Sequence, residues 1–481
     1  MVILAVGGAL AGCVVGPNFQ SPTAPTVDHY TTTALPDETA SAKRSGQSGD
    51  AAQRFALGAP VAERWWTLFG SDTLDALEEE ALRTNADLQS AQAALRQARE
   101  VYLAQRATQA PTVDLAASGV GAKNSQTLAP VLFSNAETYG LYTAQLNIAY
   151  APDVFGGIRR QTESVAAQAE NQRFLTQAVY LTLTANVAGA VVQLASLNTQ
   201  MSDTLGVIDA DRRALAVTRR RESMGEAPMS DVAAAETTLE QAEQLAPPLQ
   251  KQIDQERDML AVLLGRPPSE TPVGRLELAD LSLPVALPVS LPSDLVRQRP
   301  DVRAAEANLH AASAQVGVAI AARLPSFPIT GSIGGASTQL ATLFSDGNWL
   351  GSLTGAVSQS VFDAGALRHK QRAAEAALDQ SKAQYRSAVL AALQNTADVL
   401  QAIVDDAQAL KHADAAQAGT ARSLKLAKDA FDHGEVDALA VLTAEAADRQ
   451  GRLALSQARG ARYADTVSLY QALGGGWRDR P

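Results

Sequence analysis

The sequence predicts a mainly α-helical chain that carries membrane β-strands and is built as a two-fold internal repeat. Three observations support this. An offset of 214 residues maps Asp87 to Asp301, Leu95 to Leu309, Pro111 to Pro325 and Gly121 to Gly335; an offset of 209 then maps Gly156 to Gly365, Gly225 to Gly434, Glu236 to Glu445 and Gly265 to Gly474. Segments of roughly ten residues alternate apolar and polar side chains, the two-residue period of a strand with one face in lipid. Two stretches, from Ile158 to about Arg221 and from Ala366 to about Phe431, hold no proline and few glycines. As helices each would run roughly 100 Å, longer than a globular core requires.

Composition narrows the function. Aromatic residues make up 5% and hydrophobic residues 46% of the 481, a balance that favours long, closely packed helices. The net charge of −11 provides no basic face for nucleic acid. His29, His310, His369, His412 and His433 are scattered without metal-ligand spacing, and no nucleophile elbow, phosphate loop or dinucleotide glycine pattern is present. The chain therefore offers no residues for an enzyme, a metal site or a cofactor.

The elements follow in order. Residues 1–12 form an apolar run too short to span a bilayer and read as a signal peptide, although a basic n-region is absent before Val2, which leaves the true start open upstream of Met1. Leu10-Ala11-Gly12-Cys13 resembles a bacterial lipobox, which implies lipidation of Cys13, the chain's only cysteine. Residues 13–70 then comprise the anchor, an extended Pro-, Thr- and Ser-rich tether with no core of its own, and a first helical element at Trp65-Trp66 and Phe69.

The first repeat covers 71–265, a Pro-rich linker 266–292, the second repeat 293–474 and a C-terminal tail 475–481. Strands are expected at about 112–121, 139–150, 326–335 and 349–361. Between Leu141 and Tyr150, Tyr142, Ala144, Leu146 and Ile148 alternate with Thr143, Gln145 and Asn147. Four strands cannot close a barrel in lipid, where about eight is the minimum, so a membrane role requires more than one protomer. Gly156, Gly157 and Gly365 supply the sharp exits from strand to long helix. The uncharged stretch Phe174–Ser202 is not read as a transmembrane helix, because its repeat partner carries Asp398, Asp405 and Asp406.

Several motifs together give the chain a family likeness: Gly16-Pro17-Asn18-Phe19 after the cysteine, Asp153-Val154-Phe155-Gly156, Arg299-Pro300-Asp301-Val302, the Leu324-Pro325 stop and the paired Gly225 and Gly434. The chain resembles the TolC-like outer-membrane factors, specifically the lipid-anchored branch serving resistance-nodulation-division efflux pumps. That resemblance implies a homotrimer in the outer membrane, with long helices forming a periplasmic α-barrel and four strands per protomer joining a shared trimeric 12-stranded β-barrel. It also implies a passive efflux duct with a periplasmic adaptor protein and an inner-membrane pump as partners, the pump choosing the cargo.

In the same resemblance Met224, Gly225 and Glu226, with His433, Gly434 and Glu435, form the helix-to-helix turns that meet the adaptor. Glu226 and Glu435 are equally readable as acids favouring the next helix N-terminus. Asp231, Glu435 and Asp437 are candidates for an acidic ring at the periplasmic gate, and Leu439 for its apolar constriction. Thr443 stands where relatives often carry an acid. The rival readings are a non-conducting, periplasm-spanning structural lipoprotein, a periplasmic adaptor, and an outer-membrane factor for type I secretion or another exporter.

Overall fold

The computed structural model describes residues 14–42, 48–123, 138–270 and 274–476. The signal peptide, Cys13 and the last five residues of the tail lie outside the described residues. In chain order the elements are β1 (Arg54–Leu57), α1 (Asp72–Thr84), α2 (Ala86–Ala107), β2 (Thr112–Lys123), β3 (Thr138–Tyr150), α3 (Gly157–Ser223), α4 (Met229–Glu243) and α5 (Ala246–Leu263). They continue with β4 (Ala286–Val289), α6 (Pro292–Gln298), α7 (Pro300–Ala321), β5 (Ile329–Ser337), β6 (Trp349–Gly355), α8 (Ala366–Asp432) and α9 (Ala438–Ala472). The chain is mainly helical, and α3 and α8 are each 67 residues long. It divides into two compact units, one holding the described residues up to Pro22 with Ala94–Gln172 and Ala304–Tyr385, the other Thr23–Ala93, Arg173–Arg303 and the described residues from Arg386 onward.

The first unit holds an antiparallel sheet in the order β2-β3-β5-β6. Register places Leu115 opposite Leu146 and Leu146 opposite Ile333, so apolar side chains stack across neighbouring strands. The next row, Asp114, Asn147, Ser332 and Ser352, is polar, and because successive residues point to opposite faces the sheet has one apolar and one polar face. On the polar face Ser118 and Thr143 hydrogen-bond at 2.7 Å, and Ser332 and Ser352 at 2.8 Å. The apolar face is uncovered: Leu115 is 75% exposed and Leu353 82%.

Four strand ends differ by more than one residue from the expected ones: β2 runs on to Lys123 and β5 to Ser337, and proline explains the other two. β5 begins at Ile329 and β6 ends at Gly355, well short of Val361. Ala356 donates to the Pro328 carbonyl at 3.0 Å, but proline has no N–H to return the bond, so the ladder breaks there and only an isolated Ser326–Ser358 bridge lies beyond.

The second unit is organised around an aromatic core. Trp65, Trp66, Phe69, Tyr463 and Tyr470 are buried, and Trp65 stacks on Tyr470 at 5.0 Å between ring centroids. The middle of α3 supplies buried Val187, Val191, Val192, Leu194 and Leu197, while Asn198 donates to the Leu276 carbonyl at 2.9 Å. Protein therefore covers the stretch whose apolar composition matches a membrane helix.

The segment read as a tether is packed here. Arg462 of α9, fully buried, donates to the carbonyls of Gly49 (3.0 Å) and Ala51 (2.7 Å), to Thr39 Oγ1 (2.9 Å) and to Gln53 Oε1 (3.2 Å). Arg459 forks onto Asp50 at 2.9 and 3.1 Å. β1 pairs in parallel with β4, so the segment read as a linker is held too, with Leu278, Leu281, Leu283 and Leu287 buried. A tether-like composition did not prevent docking, because α9 supplies donors to the carbonyl and side-chain oxygens of the extended segment. Burial lowers the Arg462 pKa to about 10, and nearby Asp50 opposes the drop, so the guanidinium stays charged at neutral pH.

Glu78 on α1 is fully buried, and neither carboxyl oxygen has a hydrogen-bond partner among the described residues. Burial, followed by the Asp75 charge, pushes its pKa up to about 9. The folded chain thus holds a proton that the unfolded chain has released, and stability falls as pH rises from about 4.5 through about 9. Glu78→Gln is expected to raise stability at pH 8 by on the order of 3 kcal/mol and to change it little at pH 4, read by thermal unfolding in detergent. Arg462→Ala should cost about 3 kcal/mol or more by stranding four acceptors, and limited proteolysis should then cut between Thr39 and Leu57 at doses that spare the parent.

Candidate functional site: the strand-to-helix collar and the helix tips

In the first unit, strands turn into long helices at two tight corners. Gly156 and Gly365 take φ of 78° and 86°, and Ala364 is the only described non-glycine residue with positive φ, at 53°. Each corner is locked by an aspartate that sequence reading passed over in favour of the glycines. Asp153 accepts from the backbone N–H groups of Ile158 (3.0 Å) and Arg159 (2.7 Å), and Asp363 from those of Gly365 and Leu367 (both 2.8 Å). The backbone donors hold the Asp363 carboxyl below the usual carboxylate range.

Against the first corner lies Val14–Phe19, a strap directly after Cys13. Val15 donates to the Phe155 carbonyl at 3.1 Å, and Gly16 sits so close to Gly317 that a Cβ on it would fall 2.4 Å from the Gly317 Cα. Arg160 of α3 donates to the Val15 and Gly16 carbonyls (3.1 and 3.4 Å), to Asn18 Oδ1 (2.7 Å) and to Glu163 (2.7 Å). His310 of α7 joins Glu163 at 2.9 Å and stacks on Phe19 at 4.3 Å. Burial opposes ionisation of Glu163, yet hydrogen bonds from His310 and Arg160 outweigh it and hold its pKa below the ordinary glutamate value.

The helix tips belong to the second unit and share one geometry. At the first, Glu226 N–H reaches the Arg221 carbonyl (2.8 Å) across Gly225, whose φ is 76°; at the second, Glu435 N–H reaches the Ala430 carbonyl (2.9 Å) across Gly434, whose φ is 74°. This six-to-one bond with a left-handed glycine is the Schellman ending of a helix. Met224, Glu226, His433 and Glu435 are exposed, and the His433 Nδ1–H donates to the Asp429 carbonyl at 2.7 Å. Val207, Ile208 and Leu215 of α3 pack against Val232, Leu239 and Ala242 of α4, holding the first tip as a hairpin.

Asp437 does two jobs. Its Oδ1 caps α9 by accepting from Ala440 N–H (3.0 Å), and its Oδ2 accepts from Arg221 (2.6 Å), joining the two tips. Glu435 and Asp231 are exposed without an ion-pair partner among the described residues. Leu439 is half-buried, and the Thr443 hydroxyl donates back to its carbonyl at 2.9 Å.

Ion pairs to other acids of the neighbouring helices were missed by sequence reading: Arg219 pairs with Glu236 (2.7 Å), and Arg213 with Glu445 (2.9 Å). The Arg219-Arg220-Arg221 run was the available signal, because consecutive cations at the C-terminal end of α3, two of them in its last turn, attract whatever acids the neighbouring helices bring.

With this geometry in hand, the chain compares closely with known proteins. Residues 77–266 and 291–475 match the family described as outer membrane efflux protein. The chain is 31% identical over 429 residues to the pyoverdine export outer membrane protein OpmQ of Pseudomonas putida, covering 86% of this chain and 88% of that protein. It superposes on the outer-membrane channel OprN with a TM-score of 0.83 at 28% identity, covering 97% of this chain and all of that one. The open state of the Neisseria gonorrhoeae MtrE outer membrane channel gives 0.77 at 25% identity, with 96% and 98% covered. The chain belongs to the outer membrane efflux protein family and is an outer-membrane efflux channel.

Proposed function

We propose that three copies of this chain form the outer-membrane duct of a tripartite efflux assembly, a passive path whose energy comes from an inner-membrane pump. The observation that carries this reading is the sheet with one uncovered apolar face, one polar face and two open edges, β2 and β6. Lipid satisfies the apolar face but not the edges, so β6 of one copy pairs with β2 of the next, and three copies of four strands exceed the minimum of about eight. The two separate family matches, 77–266 and 291–475, support the reading of the chain as a duplicated unit.

The helical residues form the periplasmic barrel in this assembly. The tips Met224-Gly225-Glu226 and His433-Gly434-Glu435 meet the adaptor, and Leu439, Asp231, Glu435 and Asp437 surround the inner opening. The Arg221–Asp437 bridge favours the closed state. As a half-exposed ion pair plus a helix cap it contributes about 1–2 kcal/mol per copy, enough to bias a two-state element that partner binding reverses. Cys13 carries the lipid at the membrane end, one residue before the strap.

In planar lipid bilayers the purified protein is expected to conduct weakly with a preference for cations. Glu435→Ala with Asp437→Ala should lower that preference and raise the conductance several-fold without reducing expression. A particle of any oligomeric state that never conducts would overturn the duct reading. Cys13→Ser should abolish incorporation of labelled palmitate; retained label would refute the anchor.

A further inference from the structure

Among the described residues, the polar face of the sheet carries one carboxylate and no basic side chain. On that face β2 presents Thr112, Asp114, Ala116, Ser118, Val120 and Ala122; β3 presents Thr143, Gln145 and Asn147; β5 and β6 add Thr330, Ser332, Ser352 and Thr354. Among the described residues Asp114 is the only carboxylate there, and no Lys, Arg or His shares that face. Lys123, the other charged residue of β2, lies an odd number of positions away and so on the opposite face. Asp114 is exposed and has no hydrogen-bond or ion-pair partner among the described residues; its row neighbours Asn147, Ser332 and Ser352 are neutral.

Chain direction fixes its height. Asp114 is the third residue of β2, roughly 7 Å beyond the end of the segment leading from α2, and Asn147 lies three residues before the end of β3, on the approach to α3. The carboxylate therefore belongs to the helical end of the sheet rather than to its far rim.

We propose that Asp114 sets the charge selectivity of the membrane pore, its three copies forming a carboxylate ring where the helical tunnel enters the barrel and favouring cationic over anionic solutes. This rests on the duct reading above. Wall charges facing a confined aqueous path concentrate counter-ions, and here no basic residue on the described polar face offsets them. The ring is distinct from the tip carboxylates Asp231, Glu435 and Asp437, which belong to other elements.

The test measures reversal potentials in bilayers under a KCl gradient, in the Glu435→Ala, Asp437→Ala background so that those tip carboxylates do not enter the comparison. Asp114→Asn should lower the cation-to-anion permeability ratio about two-fold at 0.1 M salt and less at 1 M, where the screening length shrinks to about 3 Å. Asp114→Glu should keep the ratio. Asp114→Cys should react with water-soluble methanethiosulfonates, the sulfonate reagent restoring cation preference and the trimethylammonium reagent reversing it, with the parent, whose one cysteine is Cys13, as the labelling control.

An unlabelled Asp114→Cys, or a labelled one whose selectivity follows neither reagent, overturns the proposal. Val113→Cys and Leu115→Cys separate this failure from failure of the duct reading. They should resist the same reagents when the apolar face meets lipid, and equal labelling of all three positions refutes the membrane sheet itself.

Discussion

A sheet in hydrocarbon must find a hydrogen-bond partner for every backbone donor and acceptor, and a four-stranded sheet with two free edges cannot do so alone. That constraint governs the rest of the structure. It leaves the β2 and β6 edges in want of partners that the four strands of this sheet do not supply. The apolar residues of this sheet sit uncovered, whereas the aromatic core of the second unit, Trp65, Trp66, Phe69 and Tyr470, is buried by protein to near zero exposure. The long helices suit lateral packing, because alanine-rich helices approach one another closely.

Much of this was legible in the sequence, for identifiable reasons. The limits of α3 and α8 could be read because proline is absent between the corners and the tips, and helix propagation needs nothing else over such a length. β2 and β3 were readable because the two-residue alternation runs from Val113 to Tyr150 on both sides of the intervening loop. β6 was overextended because its alternation continues past Gly355 in sequence, while the break comes from Pro328 on the facing strand, a residue that one-strand reasoning does not consult.

The hidden features are pairings between residues far apart in sequence. The segment from Thr39 to Leu57 has the composition of a tether, and nothing local says that Arg459 and Arg462, some 400 positions later, will hold it. The tips show the same limit. Glycine at 225 and 434 announced the turns because a left-handed residue is a local need, whereas Asp437 facing Arg221 depends on two hairpins lying side by side. Asp153 and Asp363 are the exception: their capping role is local and was readable beside the glycines that drew attention.

The strap after Cys13 alters what a lipid on that residue would be for. With Gly16 pressed on Gly317 and Arg160 gripping both Val15 and Gly16, the chain has no slack between Val15 and the protein body. Acyl chains at Cys13 would behave as a rivet rather than a mooring line, pinning one fixed point of each subunit at bilayer level. A subunit held that way has lost most of its freedom to tilt or drift in depth before its strand edges meet a neighbour. The search for a partner then becomes two-dimensional, and the edges arrive already level with one another.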